Sequence, residues 1–160
     1  NMAKIYTAGM LINKSTGLEP RFGTKNMFAV LTIFVENKFH SKMFVDLLNY
    51  GDGLEAQFFA MKRALEIAKT TGNVFINSDK SVVSWFKEGT STTRGEVEFQ
   101  IGTNELLVKR KENYYEWVEA RDNPAVQYNI KNFRPEEQQE YKPKSSPQDE
   151  SISLFDFYKE

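Results

Sequence analysis

The sequence predicts an α/β domain in which a mixed β-sheet carries helices on its faces. The first part of the chain contains three β-rich segments in succession, at residues 3–12, 27–35 and 39–48, with a turn at 36–38. After residue 53, apolar strands alternate with amphipathic helices. An antiparallel meander that leads into strand–helix units is typical of a mixed sheet covered by helices.

The first helix is predicted from a stripe of apolar residues. These residues recur at steps of four and three, as one buried face of a helix requires: Leu54, Phe58, Met61, Leu65 and Ala68. Asp52 and Gly53 are suitable residues for the start of this helix, and Gly72 is suitable for its end.

The remaining elements are shorter. They are a strand at 73–77, a helix from 79 to about 87, a short strand and a short helix within 96–111, a strand at 114–118 and a helix at 126–133. Ser78 can cap the helix that follows it, and Asn123 with Pro124 can begin the last helix. The order of these elements therefore predicts a mixed sheet with flanking helices.

Composition changes at about Arg134. Residues 134–150 hold four Glu, one Asp, three Gln and three Pro, with no aliphatic residue. Such a segment buries too little apolar surface to offset its ordering entropy, so we expect a flexible linker with a reach of roughly 20–25 Å. Residues 151–160 again contain apolar side chains, which are Ile152, Leu154, Phe155, Phe157 and Tyr158. The expected organisation is a domain at 1–133, a linker at 134–150 and a docking peptide at 151–160.

The overall composition excludes several classes of protein. Hydrophobic residues make up 40% and charged residues 27% of the chain, as in soluble globular proteins. No apolar run approaches the roughly 18 residues of a membrane span. The absence of cysteine excludes disulfides, thiol catalysis and cysteine-bound zinc. A net charge of −1 argues weakly against broad phosphate binding, and a cytoplasmic location is expected.

Two carboxylates stand where a metal site could form. Glu55 lies in the first turn of the predicted central helix, and Asp79 follows the strand after it. Ligand sites gather at the carboxyl ends of strands in α/β sheets, so Asp79 is well placed. Both residues also have a structural explanation, because acids stabilise helix N-termini.

Three segments together resemble the ribonuclease H family. GLEAQFFAMKRALEIA followed by NVFINSDKSVVSWF resembles the helix with a catalytic Glu and the strand that ends in a catalytic Asp. IYTAGM at residues 5–10 resembles the first strand of the family, in which Asp usually stands at the position of Ala8. YYEWV at 114–118 resembles the strand before the last catalytic acid. The resemblance covers most of residues 3–133 and implies a ribonuclease H-like fold, a mixed five-stranded sheet with flanking helices.

The resemblance implies a nuclease site in which carboxylates hold two Mg²⁺ ions on a phosphodiester. It assigns Glu55 and Asp79 as catalytic residues and metal ligands. Ala8 replaces the first acid, and a methyl group cannot bind a hard cation. Asn129 is the better placed candidate for the fourth acid position, and Asp122 is close to it in sequence. The site is therefore expected to be degenerate.

Ala8 has two interpretations. It is natural in a pseudo-enzyme that kept the fold for another purpose, or it is an engineered replacement of a catalytic Asp. Asn1, which precedes Met2, is consistent with a recombinant form. A second missing acid at Asn129 favours natural loss, and the engineered alternative stays open.

The end of the chain resembles the peptide by which bacterial replication and repair proteins bind the DNA sliding clamp. That peptide is typically Gln-Leu-(Ser/Asp)-Leu-Phe. Its expected binding residues here are Ser151, Ile152, Ser153, Leu154, Phe155 and Phe157. Apolar anchors on a flexible tether suit docking into a preformed pocket. The alternative is that these side chains pack on their own domain.

These observations lead to three expected functions. The first is a degenerate ribonuclease H-like protein that binds a sliding clamp and acts in replication, or against it as small phage proteins do. The second is an active Mg²⁺-dependent ribonuclease H that cleaves RNA in RNA–DNA hybrids when Ala8 is Asp. The third is a non-catalytic nucleic-acid binder that uses the basic run 109–111, which is otherwise a solvated helix end. His40 is expected to be an ordinary strand residue at a surface or edge.

Overall fold

The structure is a computed structural model that describes residues 2–21, 25–47, 52–68, 72–88 and 112–135. In these ranges the strands are β1 (Lys4–Asn13), β2 (Met27–Val35), β3 (Lys38–Asp46), β4 (Val74–Asn77) and β5 (Tyr114–Trp117). The helices are α1 (Gly53–Ile67), α2 (Lys80–Glu88) and α3 (Pro124–Phe133), with a 3-10 turn at Ala120–Asp122. The predicted α/β class is confirmed.

The five described strands form one mixed sheet in the order β3-β2-β1-β4-β5. β1 pairs with β2 along its whole length, antiparallel, from Ile5–Val35 to Asn13–Met27. Its parallel pairing with β4 is short and ends at Tyr6–Ile76. Beyond Tyr6, β1 therefore has a strand neighbour on one side only within the described chain. The candidate site lies along this open edge.

The two faces of β1 pack against different helices. Met10 and Ile12 belong to a buried cluster with Phe133 of α3. Leu11, which points to the opposite face, packs against a cluster that contains Ala56 and Ala60 of α1. This alternation follows from the two-residue period of a strand. β1 therefore lies in a sheet that has α1 on one face and α3 on the other.

Gly9 lets α1 lie directly on β1. A Cβ at this position would overlap the backbone carbonyl of Ala56 and press on the N–H of Gln57. Only glycine permits so close an approach of two backbones. This contact fixes where the start of α1 lies relative to the middle of β1.

The caps of the helices differ in part from the predictions. Asp52 caps α1 as expected, with its side chain accepting from the N–H of Glu55 at 2.7 Å. α1 ends at Ile67 with Ala68 as C-cap, so the prediction that Gly72 ends it is wrong. The helix ends here because the backbone of Ala68 is extended.

The predicted cap of α2 is also wrong by one residue. Asp79 Oδ1 accepts from the N–H groups of Ser81 (2.9 Å) and Val82 (3.1 Å). The hydroxyl of Ser78 instead accepts from Asn123 Nδ2 at 3.1 Å. Since α2 begins at Lys80, Asp79 is the residue in the capping position.

Other boundaries move by a few residues. β3 begins at Lys38, and α3 begins at Pro124 rather than at 126, with Asn123 as its N-cap. The elements expected within 96–111 lie outside the described residues. His40 is exposed on the edge strand β3, as expected. In the described part of the chain, no helix has the length and apolarity of a membrane span.

Candidate functional site

A cleft of about 400 Å³ opens where β1 continues past the end of β4. Its floor is the middle of β1, and its walls come from α1, α3, the end of β4 and the loop after β1. The residues that line it are Ala8, Gly9, Met10, Leu11, Glu19, Pro20, Gly53, Gln57, Asp79, Val126, Asn129, Ile130 and Arg134. The cleft therefore brings together Ala8, Asp79 and Asn129, three of the positions singled out in the sequence.

Ala8 lies on the floor of the cleft and is 1% exposed. Its backbone carbonyl accepts from Asn129 Nδ2 at 3.4 Å. The side chain offers only a methyl group, so it supplies neither charge nor an oxygen ligand. An oxygen-seeking cation has no contact to make with it.

Asp79 lies at the carboxyl end of β4 and lines the cleft. One of its oxygens caps α2, as described above, and its N–H donates to Asn77 Oδ1 at 2.8 Å. A carboxylate at a helix N-terminus is stabilised by the helix dipole and the free N–H groups. Asp79 therefore has a structural role that does not depend on a metal.

Glu55 and Gln57 differ in their relation to the cleft. Glu55 lies in the first turn of α1 but is not among the cleft-lining residues. Gln57 lines the cleft, and its Oε1 accepts from Gly9 N (2.9 Å) and from Asn77 Nδ2 (3.1 Å). Sequence reasoning missed Gln57. One signal was available in the sequence: Gln57 lies one helical turn before Met61, a buried member of the apolar stripe of α1.

Asn129 is the residue that α3 contributes to the cleft. It is 1% exposed, and both ends of its amide are used. Its Oδ1 accepts from the hydroxyl of Thr32 at 2.5 Å, while its Nδ2 donates to Ala8 O. Asp122, the other candidate for this position, is exposed in the 3-10 turn and does not line the cleft.

Two further buried amides sit beside the cleft. Asn77 Nδ2 donates to Thr7 Oγ1 at 3.0 Å and lies 3.3 Å from Thr7 O. Asn123 Nδ2 donates to the same carbonyl at 3.1 Å. Both asparagines are 0% exposed. Asn123 was expected only as the start of α3, and Asn77 was not singled out.

The donor set does not fit a magnesium centre. Within the described ranges, no three His, Asp or Glu side chains come close enough together to hold a metal ion. The acids that line the cleft are Asp79 and Glu19, and Glu19 pairs with Arg134 at 2.7 Å. The amides at the site are engaged with one another and with backbone. Mg²⁺ prefers carboxylates and water in octahedral geometry, which this arrangement does not supply.

The basic run 109–111 and the peptide 151–157 lie outside the described residues. Their expected roles in binding nucleic acid and a sliding clamp remain predictions from the sequence.

No protein-family profile and no curated protein matches the sequence. Solved structures do match. RNase H1 of the archaeon Halobacterium salinarum is 12% identical, with a TM-score of 0.59 over 81% of this chain and 94% of that chain. The N-terminal RNase H domain of a Mycobacterium tuberculosis protein, solved as a fusion with maltose-binding protein, is 12% identical, with a TM-score of 0.57 over 81% and 95%.

A third similar structure holds a nucleic acid. It is an RNase H1 in complex with an RNA/DNA hybrid, 12% identical, with a TM-score of 0.54 over 79% of this chain and 92% of that chain. At such low identity these structures define the fold alone. The chain has a ribonuclease H-like fold.

Proposed function

We propose that this chain is a non-catalytic ribonuclease H-like protein that docks on a bacterial DNA sliding clamp through residues 151–157. It would act in DNA replication or against it. The observation that carries the first half of this proposal is the cleft, where Asp79 is accompanied by Ala8, Gln57 and Asn129. The other acid that lines the cleft, Glu19, is neutralised by its pair with Arg134, so this arrangement is a poor framework for two-metal catalysis.

The charge of the cleft is the physical reason for this proposal. Two-metal phosphodiester cleavage needs several oxygen ligands whose negative charge holds the ions on the attacking and leaving oxygens. A neutral amide binds such ions less tightly than a carboxylate. Here Gln57 and Asn129 have their oxygens occupied by hydrogen bonds from Gly9 and Thr32. Gln57 Oε1 also accepts from Asn77, so both of its lone pairs are used, and a metal would have to displace one of these bonds.

The alternative is an active Mg²⁺-dependent ribonuclease H in which Ala8 replaces a catalytic Asp. Ala8 and Asp79 line the same cleft, which favours this reading. Against it, the substitution Ala8→Asp would restore a single acid, with Gln57 and Asn129 still neutral. Binding of an RNA–DNA hybrid without cleavage, aided by the basic run 109–111, is compatible with either reading. The hybrid held by a similar structure supports that possibility.

The second half of the proposal rests on the tail sequence and on where the described domain ends. α3 ends at Phe133, which is fully buried, and Arg134 is tied to the loop after β1 by its pair with Glu19. The expected clamp-binding residues begin at Ser151. The linker expected from composition at 134–150 separates the two and would give the peptide freedom to reach a partner.

The test of clamp docking is a binding titration of the full-length chain against a purified bacterial clamp. Changing Leu154 and Phe155 to Ala removes two apolar anchors and should weaken binding by at least about tenfold. Tyr141→Ala, an aromatic truncation within the linker, is the matched control and should bind as the parent does. Binding that survives the Leu154 and Phe155 changes would refute docking through this peptide.

A further inference from the structure

The chain segments that meet at the cleft are joined by neutral side-chain amides. Gln57 of α1 accepts from the N–H of Gly9 in β1 and from Asn77 Nδ2 at the end of β4, at 2.9 and 3.1 Å. Asn77 in turn donates to the hydroxyl of Thr7 in β1 at 3.0 Å. One glutamine oxygen thus connects a helix with two neighbouring strands.

This connection stands where the ladder between β1 and β4 stops. The strand pairing ends at Tyr6–Ile76, so among the described strands none pairs with the next backbone groups of β1 on that edge. The side chains of Asn77 and Asn123 reach Thr7 O, and Gln57 reaches the N–H of Gly9. The amides therefore continue the hydrogen bonding of the strand ladder past its end.

Asn129 makes a similar connection on the face of the sheet that α3 covers. It joins α3 to β1 through Ala8 O and to β2 through the hydroxyl of Thr32. An amide carries a donor and an acceptor and no charge, so amides can satisfy one another in a buried site. Carboxylates only accept, and several in one cleft repel unless a cation lies between them.

We infer that this amide network holds β1, β4, α1 and α3 together without any cation, with Gln57 as its central residue. The contacts of this network lie within the domain and do not involve the tail, so they are independent of the proposed clamp binding. Gln57 acts as a positioning residue, and metal ions should have no effect on the stability of the fold.

The first test is thermal unfolding of the full-length chain in EDTA and in millimolar Mn²⁺ or Mg²⁺. The midpoint Tm should agree within about a degree between these conditions, since binding to the native state alone would raise it. A rise of several degrees in Mn²⁺ would overturn the inference, because the existing residues would then hold a metal.

The second test removes the central acceptor. Gln57→Leu leaves the Gly9 N–H and one Asn77 donor without a partner and should lower Tm by on the order of 5 °C. Hydrogen exchange of the Gly9 amide should also speed up, which a loss of packing elsewhere would not produce selectively. Gln127→Leu, on the exposed side of α3, is the control. An equal effect of the two substitutions would overturn the role of Gln57.

The third test changes charge at nearly constant shape. Gln57→Glu together with Asn129→Asp would place two new carboxylates beside Asp79 in the cleft. This double variant should lose Tm in EDTA and regain part of it in Mn²⁺, whereas Gln127→Glu should do neither. A double variant as stable as the parent in EDTA would contradict the inference. If it fails to fold in EDTA, that loss supports the inference and the Gln57→Leu result stands beside it.

Discussion

At the scale of single residues, the position of Gly9 decides which side chain of α1 enters the cleft. The backbone of α1 rests on β1 at Ala56, and the next residue, Gln57, therefore reaches the Gly9 N–H. The sequence indicated an acid at a helix start and so favoured Glu55. It could not show how α1 is aligned along β1, because that alignment depends on a backbone contact between distant residues.

Gly9→Ala tests this contact. The added methyl group would overlap the Ala56 carbonyl, so the helix must shift, and the free energy of unfolding should fall by about 1–3 kcal/mol or more. Urea unfolding followed by circular dichroism measures the change. Gly53→Ala is the matched control, because a Cβ there meets no atom within 4 Å. Equal stability of the two variants would mean that α1 does not rest on β1 as described.

At the scale of elements, strands and helices were predictable because their apolar periodicity is strong. The run from Met27 to Val35 is β2, and the stripe from Leu54 to Leu65 lies on α1. The caps were less predictable. Ser78 and Asp79 are both good caps in isolation; in the structure Asp79 caps α2, and Ser78 contacts Asn123, 45 residues away in sequence. Tertiary contacts of this kind leave no local signal.

The cap of α2 gives a second stability prediction. Asp79→Ala removes the acceptor for the N–H groups of Ser81 and Val82 and should cost about 1 kcal/mol of unfolding free energy. Asp79→Asn keeps an oxygen in the same place and should cost a few tenths, since asparagine is also a good cap. Chemical denaturation of both variants separates capping from charge. An Asn variant as unstable as the Ala variant would contradict the capping role.

At the scale of the whole molecule, the order of the elements predicted a mixed sheet with flanking helices, and the resemblance of three segments predicted the ribonuclease H-like fold. β1, the end of β4 and α3 place Ala8, Asp79 and Asn129 at one cleft. Their chemistry together was not predictable in full, because the hydrogen bonds that occupy Gln57 and Asn129 come from distant strands. The predicted domain boundary at 133 remains a prediction.

Truncation tests that boundary. Deleting 136–160 should leave Tm within about two degrees of the parent, since no part of the described core lies in that segment. Deleting from Phe133 onward removes a fully buried ring and the Arg134–Glu19 pair and should cost about 3–5 kcal/mol. Thermal unfolding of both truncated chains is the measurement. A large loss from the shorter deletion would show that the tail packs on the domain.

We propose that this ribonuclease H-like chain lacks catalysis for reasons beyond Ala8. The most direct test is single-turnover cleavage of an RNA–DNA hybrid by the parent and by Ala8→Asp, in Mg²⁺ and in Mn²⁺, with Ala8→Asp/Asp79→Asn as control. We predict no metal-dependent cleavage by any of the three proteins. Cleavage by Ala8→Asp that disappears in the control would contradict the account and identify an active ribonuclease H whose first acid had been replaced.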